Sequence, residues 1–279
     1  MLYLVATPIG NLGDIALRAL EVLRTVDLIL CEDTRHSGHL LRHYEIQSRL
    51  TSYHKFNELE KEEWIVQELK MGKSIALISD AGTPLVADPG ARLVKRCRKE
   101  GIPITALPGP CAALVALTLS GFSAEKFQFL GFLPKQPSEL KKWAEELLEY
   151  SGTTICYESP HRIVKSLELF FALAPDRRFC LARELTKAFE EVLIGLPGEL
   201  LFHFDEKDPR GEYVLLIEGN PVTLVPSNSF SEDLLCLQSH FSLSKQEAIR
   251  LVAQLRGVPK REVYQSCHKK DSHEEDLLL

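Results

Sequence analysis

Short apolar runs alternate with amphipathic segments along the first 120 residues, and this alternation is the strongest constraint on the fold of the chain. It is the pattern of parallel strands joined by helical crossovers. The predicted strands are Leu2–Ala6, Asp27–Cys31, Lys73–Ser79 and Ile102–Leu107, and the predicted helices are Ile15–Thr25, a segment that ends before Gly72, and Ala91–Glu100. The sequence therefore predicts an α/β domain over residues 1–120.

Capping residues indicate where these helices begin. Asp14 is a predicted N-cap for the first helix, and Asn57 with Glu60 forms a capping pattern for the second. Asp88 followed by Pro89 predicts a cap and a first-turn proline for the third. In each case the side chain is expected to accept a hydrogen bond from an amide of the helix N-terminus.

A second α/β unit is predicted over residues 121–220, after a break around Gly121. Its predicted strands are Phe127–Phe132, Thr153–Glu158, Arg178–Arg183, Glu190–Ile194 and Glu212–Glu218, and its predicted helices are Ser138–Tyr150 and Pro160–Leu173. The last strands follow one another too closely for helical crossovers. A mixed sheet is therefore expected.

A linker and a small helical module are predicted over residues 221–279. The stretch 220–229 has linker composition, and Ser244 with Glu247 forms a capping box for a helix that ends at Gly257. Pro259 is predicted to begin another helix.

Composition favours a cytoplasmic protein without a bound metal. The N-terminus lacks the features of an export signal, and the most apolar later stretch, Cys111 to Phe122, is shorter than the roughly 20 residues of a membrane span. The seven cysteines are scattered and form no Cys-x-x-Cys pair, so we expect reduced thiols and no zinc site. A net charge of −6 argues against simple coating of nucleic acid by the whole chain.

Four loops of the first predicted domain carry far more turn residues and carboxylates than a short connection needs. They are TPIGNLGDI (7–15), CEDTRHSG (31–38), SDAGTPLVADPG (79–90) and LPGPCAA (107–113). In an open α/β sheet such loops meet at one edge, where ligands bind. They contain neither a Gly-Lys-Ser/Thr sequence nor Gly-x-Gly-x-x-Gly, which argues against a nucleoside triphosphate or a standard dinucleotide.

The side chains of these loops favour a positively charged ligand. They include several carboxylates, small residues that let a ligand approach the backbone, and few cations. The carboxylates are Asp14, Glu32, Asp33, Asp80 and Asp88.

Eight motifs together carry a resemblance to a known family. They are TPIGNLGDI, EDTRH at 32–36, H-x-x-N-E at 54–58, SDAGTPLVADPG, PGPCAA, YESPHR at 157–162, ARELTK at 182–187 and GE at 211–212. With them, residues 1–220 resemble the bacterial ribosomal RNA small subunit methyltransferase I family of the tetrapyrrole methylase superfamily, and the C-terminal helices do so more weakly. The resemblance implies two α/β domains with a cleft between them. It also implies a homodimer that uses S-adenosylmethionine to methylate the ribose 2′-hydroxyl of a cytidine in the decoding region of 16S ribosomal RNA.

The resemblance also assigns residues to the cofactor. The residues that it places against S-adenosylmethionine are Pro8, Asp80, Gly82, Thr83, Pro84, Ala112, Ala113, Tyr157, Glu212 and Tyr213. A sulfonium is a cation, so carbonyl and carboxylate oxygens there would favour it, and a phosphate-binding lysine would oppose it.

A ribose hydroxyl is a poor nucleophile, so it must be aligned with the methyl group and its proton needs an acceptor. The candidate bases are Glu32, Asp33, His36, His54 and Glu158, and the sequence does not choose among them. Two of them have a stated structural alternative: His54 as a surface or packing histidine, and Glu158 as the ion-pair partner of Arg162 or Arg183. The residues expected to hold RNA phosphates, or else to form ordinary salt bridges, are Arg35, His36, Arg162, Arg183 and Lys187.

The C-terminal module is basic although the whole chain is acidic. From Ser244 to Lys270 seven Lys and Arg face two acids, and Lys260 and Arg261 are expected to contact RNA. A helical lid or dimer brace is the alternative use of this charge. For the whole protein, the alternatives are a methyltransferase acting on a small tetrapyrrole and a non-catalytic RNA-binding protein.

Overall fold

The computed structural model describes residues 1–205, 207–220, 229–241 and 243–266. Its contacts group the chain into two compact units, residues 1–219 and residues 220–279, and each unit is described by itself.

The first sheet confirms the predicted parallel α/β domain. Its strands are β1 (Leu2–Val5), β2 (Leu28–Cys31), β3 (Leu50–Ser52), β4 (Ile75–Ile78) and β5 (Ile104–Leu107), paired in parallel in the order β3-β2-β4-β1-β5. The helices between and after them are α1 (Leu17–Thr25), α2 (Thr34–His43), α3 (Glu58–Lys70), α4 (Ala91–Lys99) and α5 (Ala112–Ser120). Every residue of β2 and β4 is buried, as expected for a parallel sheet with both faces covered.

The second sheet is mixed, as predicted. Its elements are β6 (Phe127–Phe132), α6 (Pro137–Leu148), β7 (Thr153–Glu158), α7 (Pro160–Leu173), β8 (Phe179–Arg183), β9 (Glu191–Gly195), α8 (Pro197–Asp205) and β10 (Tyr213–Ile217). The order is β6-β7-β10-β8-β9, in which β6 and β7 are parallel and the other neighbours are antiparallel.

Helix α5 connects the two halves of this unit. Ala113, Ala116 and Leu117 pack in one apolar cluster with Val214 and Leu216 of the second sheet, and Ile9 joins the same cluster. The helix that follows the last strand of the first sheet therefore covers a face of the second sheet, which brings the carboxyl edge of the first sheet close to β7 and β10.

Two of the predicted helix caps are wrong. Asp14 lies at the end of a 3₁₀ turn whose cap is Asn11, and α1 begins at Leu17 without a side-chain cap. Helix α4 follows Gly90, not Asp88, because Gly90 has a φ of 125° that ends the preceding loop. Asp88 is therefore not used as a cap.

The sequence prediction omitted four elements of this unit: α2, β3, α5 and α8. At the remaining predicted cap, Asn57 does precede α3, but its side chain bonds to the backbone of His54 and Ser52 and not to the helix. Tertiary contacts thus replaced the local capping pattern.

In the second unit, α9 (Phe230–Phe241) and α10 (Lys245–Arg256) pack around Leu237 and Val252. Both hydrogen bonds of the predicted capping box are present, and α10 ends at Gly257 as predicted. Residues 260–266 are helical, in agreement with a new helix after Pro259. Most of the predicted linker, and Lys269 and Lys270 of the basic count, lie outside the described residues.

Candidate functional site

The structure brings together, at the carboxyl edge of the first sheet, the four loops that are rich in turn residues and carboxylates (7–15, 31–38, 79–90 and 107–113). Thr7 and Gly82 exchange backbone hydrogen bonds of 2.9 and 3.0 Å, and the Thr83 hydroxyl donates to the Pro110 carbonyl at 2.9 Å. The loop after β2 joins them, since the Asp33 amide donates to Asp80 Oδ1 at 3.3 Å. The loop 79–90 is thus bonded to the other three.

The loop 79–90 has an unusual backbone. Gly82, Leu85, Ala87 and Gly90 all have positive φ values, of 85°, 71°, 66° and 125°. For Leu85 and Ala87 this conformation costs on the order of 1 kcal/mol or more each, and such strain concentrates at functional sites. The loop therefore has a backbone shape that a simple reversal of the chain would not require, and its many turn residues make that shape possible.

A second set of loops faces the first from the second sheet. The turn after β8 contacts the loop after β1 closely: a Cβ on Gly10 would lie 2.4 Å from Lys187 Cγ, and the Asn11 amide donates to the Thr186 hydroxyl at 3.1 Å. Glu184 and Thr186 of this turn also have positive φ, of 49° and 66°. The two halves of the unit thus meet directly beside a cleft.

The cleft has a volume of about 420 Å³. This falls within the range of roughly 300–1,000 Å³ that is typical of small-molecule sites. The lining residues from the first half are Ile9, Asp80, Ala81, Gly82, Thr83, Val86, Ala87, Asp88, Cys111 and Ala112. Those from the second half are Phe132, Tyr157, Glu158, Ser159, Pro160, Glu184, Leu185, Lys187, Glu212, Tyr213 and Val214.

Most residues predicted to contact the cofactor line this cleft. They are Asp80, Gly82, Thr83, Ala112, Tyr157, Glu212 and Tyr213. Pro8, Pro84 and Ala113 are buried and do not belong to the lining.

Of the candidate bases, Glu158 lines the cleft, but its carboxylate is already occupied. It is buried and accepts hydrogen bonds from the Ser159 amide at 2.7 Å and the Ser166 hydroxyl at 2.9 Å. Arg162 Nη2 lies 3.3 Å from Glu158 Oε2, so the ion pair considered from sequence is present.

The other candidate bases lie outside the lining. Asp33 caps α2 and pairs with Arg35, and these hydrogen bonds lower the pKa of Asp33. The His36 ring is 3.1 Å from the Asp80 carbonyl, and Glu32 is exposed. His54 Nε2 lies 3.1 Å from Nδ2 of the Asn57 side-chain amide.

The predicted phosphate-binding cations differ in their surroundings. Arg162 donates to the carbonyls of Leu133 and Pro134 as well as pairing with Glu158. Arg183 Nε lies 3.4 Å from Glu191. In contrast, the Arg35 side chain is 89% exposed.

Lys187 is the cation of the described cleft lining, and the protein already neutralises it. Its Nζ donates to Glu184 Oε1 at 2.9 Å and to Glu212 Oε2 at 3.0 Å. Asp80, Asp88 and Glu158 also line the cleft, so carboxylates outnumber cations there. A cationic ligand such as S-adenosylmethionine fits this lining better than a polyphosphate.

Sequence reasoning counted Asp88 among the carboxylates of the ligand-binding loops but gave it no contact or catalytic role, and assigned it to a helix cap. Burial, and then the charges of Glu32 and Asp80, raise the pKa of Asp88 to about 6. Burial also raises the pKa of Tyr157, across the cleft lining, to about 12. The local sequence signal was the high density of acid in the loop 79–90, of which Asp88 is part.

No group of His, Cys, Asp and Glu among the described residues is arranged to hold a metal ion. Within the same residues, no helix is long and apolar enough to cross a membrane.

Comparison with known proteins places this fold. A family model described as Tetrapyrrole (Corrin/Porphyrin) Methylases matches residues 1–201. A solved uroporphyrin-III-C-methyltransferase from Thermus thermophilus aligns with a TM-score of 0.56 and 20% identity, covering 78% of this chain and 93% of that one. That likeness concerns the fold alone. The fold and the cleft define a protein of the tetrapyrrole methylase class.

Curated relatives narrow the class. A protein of Escherichia coli O157:H7 is 44% identical to this chain, and the alignment covers 94% of this chain and 93% of that protein. A protein of Halalkalibacterium halodurans is 41% identical, and the alignment covers 96% of this chain and 94% of that protein. A protein of Vibrio cholerae is 49% identical, and the alignment covers 78% of this chain and 77% of that protein. All three carry the name ribosomal RNA small subunit methyltransferase I. The chain belongs to this family, which confirms the resemblance seen in its motifs.

Proposed function

We propose that this protein is an S-adenosylmethionine-dependent methyltransferase that methylates the ribose 2′-hydroxyl of a cytidine in the decoding region of 16S ribosomal RNA. The observation that carries the proposal is the acid-rich cleft between the two halves of the first unit, in a chain of the ribosomal RNA small subunit methyltransferase I family. S-adenosylmethionine, when bound, supplies a methyl group on a positively charged sulfur.

The lining suggests how the chain holds this group. Asp80 and the backbone around Gly82 would bind it from the first half, and Tyr157, Glu212 and Tyr213 from the second. Thr83 holds two loops together through Pro110, so it shapes the site as well as lining it. Pro8, Pro84 and Ala113 remain predictions; their burial behind the lining is consistent with a supporting role.

We assign RNA contact first to Arg35 and His36. Both are exposed at the start of α2, and α2 itself contains no acidic residue. Lys260 and Arg261 are exposed in the second unit and could contact phosphates in the same way. Arg35 also pairs with Asp33, but its side chain is exposed. Arg162, Arg183 and Lys187 are mostly buried against their carboxylate partners, so we rank them lower.

The proposal includes a homodimer that acts in the cytoplasm, and the family resemblance supports this part. Sedimentation equilibrium of the full chain tests the dimer. A monomeric mass at micromolar concentration would remove it from the proposal without affecting the chemistry.

Transfer of labelled methyl from S-adenosylmethionine tests the function. We expect transfer to small-subunit RNA, as a naked transcript or in assembled subunits, with the label on a ribose that then resists alkaline hydrolysis. An RNA carrying 2′-deoxycytidine at the mapped position should accept no methyl. Transfer to a uroporphyrinogen instead would favour the tetrapyrrole alternative, and absence of calorimetric heat with S-adenosylmethionine would favour a non-catalytic RNA-binding protein.

Asp80→Ala tests the cofactor site. The variant should bind S-adenosylmethionine about tenfold more weakly, which corresponds to the loss of about one charge-assisted contact. Asp176→Ala, at an exposed position outside the lining, is the matched control. Unchanged affinity in calorimetry would remove Asp80 from the site.

A further inference from the structure

Asp88 differs from the other carboxylates that line the cleft. Asp80 accepts a hydrogen bond from the Asp33 amide, and Glu158 is saturated by Ser159, Ser166 and Arg162. The remaining lining carboxylates, Glu184 and Glu212, both bind Lys187. Among the described residues, no hydrogen bond or ion pair reaches the carboxylate of Asp88, so it is available to a ligand.

The surroundings of Asp88 make its carboxylate a good proton acceptor near neutral pH. The charged and titratable groups that face it are Glu32 after β2, Asp80 after β4 and Tyr157 on β7. Partial burial, and then the charges of Glu32 and Asp80, disfavour the ionised form of Asp88, and no cation offsets them among the described residues. A general base is most effective when its pKa is close to the pH at which the enzyme works.

The backbone fixes the position of Asp88. It lies between Ala87 and Gly90, which have φ values of 66° and 125°. A Cβ on Gly90 would lie 2.6 Å from Leu77 Cδ2 of β4, so the loop is packed tightly against the sheet. Since α4 is capped by Gly90, Asp88 has no role in starting that helix. The strained turn therefore presents an unpartnered carboxylate to the cleft.

We propose that Asp88 is the general base that receives the proton of the substrate hydroxyl. This inference rests on the proposed function. The O–H bond of the ribose breaks and its proton moves to the Asp88 carboxylate. The oxygen forms a bond to the methyl carbon, and the carbon–sulfur bond breaks with its electron pair left on sulfur as a neutral thioether. Glu158, which sequence alone placed among the bases, then acts as a structural ion-pair partner of Arg162.

Asp88→Asn in the full chain tests this assignment, because it keeps the shape and removes the basicity. We expect kcat to fall about 10²- to 10⁴-fold, and affinity for S-adenosylmethionine to change less than about threefold. The kcat/KM of the parent, which reports the pKa of the free enzyme, should rise with pH around pH 6 and reach a plateau above about pH 7. The variant should lose that dependence, and Asp88→Glu should recover part of the rate.

A second readout does not depend on activity. Carbon NMR of the labelled aspartate carboxylates, compared between parent and Asp88→Asn, should assign a resonance that titrates well above the other aspartates. Titration of that resonance at an ordinary pKa would contradict the proposal, as would a fall of kcat by less than tenfold or a loss of S-adenosylmethionine affinity as large as the loss of rate. If the parent transfers no methyl to ribosomal RNA, the proposed function fails and this assignment fails with it. If the parent is active and Asp88→Asn is equally active, only this assignment fails.

Discussion

The two halves of the first unit supply the cleft with carboxylates in opposite states. From the first half, Asp80 and Asp88 line the cleft without forming an ion pair among the described residues. From the second half, Glu158 pairs with Arg162, and Glu184 and Glu212 share Lys187. The first side thus has carboxylates without cationic partners in the described part of the chain. We call the second the neutralised side because each of its lining carboxylates contacts a cation, although Glu184 and Glu212 share one positive charge.

The difference indicates which side a cationic ligand contacts. Keeping a partly buried carboxylate without a counter-charge costs free energy of folding, and so does the strained backbone of the loop 79–90. The first cost falls on the first half, and a cation bound beside Asp80 would offset part of it. Backbone strain is present in both halves, since Glu184 and Thr186 of the second half also have positive φ. The ion pairs of the second half satisfy themselves and are expected to stabilise the fold whether or not a ligand is present.

The largest effect on stability should come from breaking the neutralised side. Glu158→Ala leaves the Arg162 guanidinium and the Ser166 hydroxyl without their buried acceptor. We expect the free energy of unfolding to fall by about 3 kcal/mol, as when one partner is removed from a buried pair. Urea denaturation at pH 7.5 measures this. The double variant Glu158→Ala/Arg162→Ala is the matched control and should lose less than the sum of its parts; a loss below about 1 kcal/mol in the single variant would contradict the comparison.

On the side of the first half, removing a carboxylate charge is expected to raise the free energy of unfolding rather than lower it. Burial raises the pKa of Asp88 from 3.8 to about 6, so between these values the folded protein binds more protons than the unfolded chain. Stability then falls as pH rises from about 4 to about 6, and the cost is fully present above pH 7. Asp88→Asn removes this cost.

Because Asp88 is partly exposed, we expect the variant to be more stable than the parent by about 2 kcal/mol at pH 7.5, less than the full shift would give. The difference should shrink as pH falls and vanish below the unfolded value of 3.8. Urea unfolding across this pH range measures the difference. A variant that is less stable than the parent at pH 7.5 would show that Asp88 has a partner after all.

Lys187→Met removes the cation shared by Glu184 and Glu212 and keeps most of the apolar stem of the lysine side chain. Among the described residues, these two carboxylates then lack a cationic partner, as Asp80 and Asp88 do. Burial alone would raise the pKa of Glu184, but hydrogen bonds and the charge of Lys187 lower it overall. A lowered carboxylate pKa stabilises the fold above the unfolded value near 4.5, and this contribution is lost as pH falls through the folded pKa. We expect a loss of about 1 kcal/mol at pH 7.5 that disappears as pH falls through the lowered pKa of Glu184. A loss that does not depend on pH would indicate that Lys187 contributes by packing alone.

Regular elements with a clear pattern were predictable from sequence. Strand β7 and helix α7 have the predicted bounds, because a buried apolar run and an amphipathic helix opened by proline are local signals. Helix α5 was missed because its residues are apolar on almost every side, including exposed positions such as Leu114 and Leu119, so it shows no amphipathic pattern. Helix α2 was missed because it is polar and contains Gly38.

The candidate site was predictable at the level of loops, because the carboxyl ends of parallel strands share one edge of a sheet. The state of each carboxylate was not predictable. Whether Asp88 caps α4 depends on the φ of Gly90, and its pKa depends on Glu32, which is far away in the chain. Such properties arise from contacts between distant segments. Sequence patterns within one loop do not encode them.

The smallest effect on stability is expected at Arg35, and this variant separates binding of RNA from folding. Its side chain is 89% exposed, and Asp33 still caps α2 through the backbone amide of residue 35, so Arg35→Ala should leave the urea midpoint unchanged. Binding of small-subunit RNA should weaken a few-fold, and the slope of log affinity against log salt should fall by about one phosphate contact. Arg18→Ala, an exposed position on α1, is the control and should change neither. If both variants bind RNA like the parent, the loop after β2 only shapes the acidic side of the cleft, and RNA must approach from another surface.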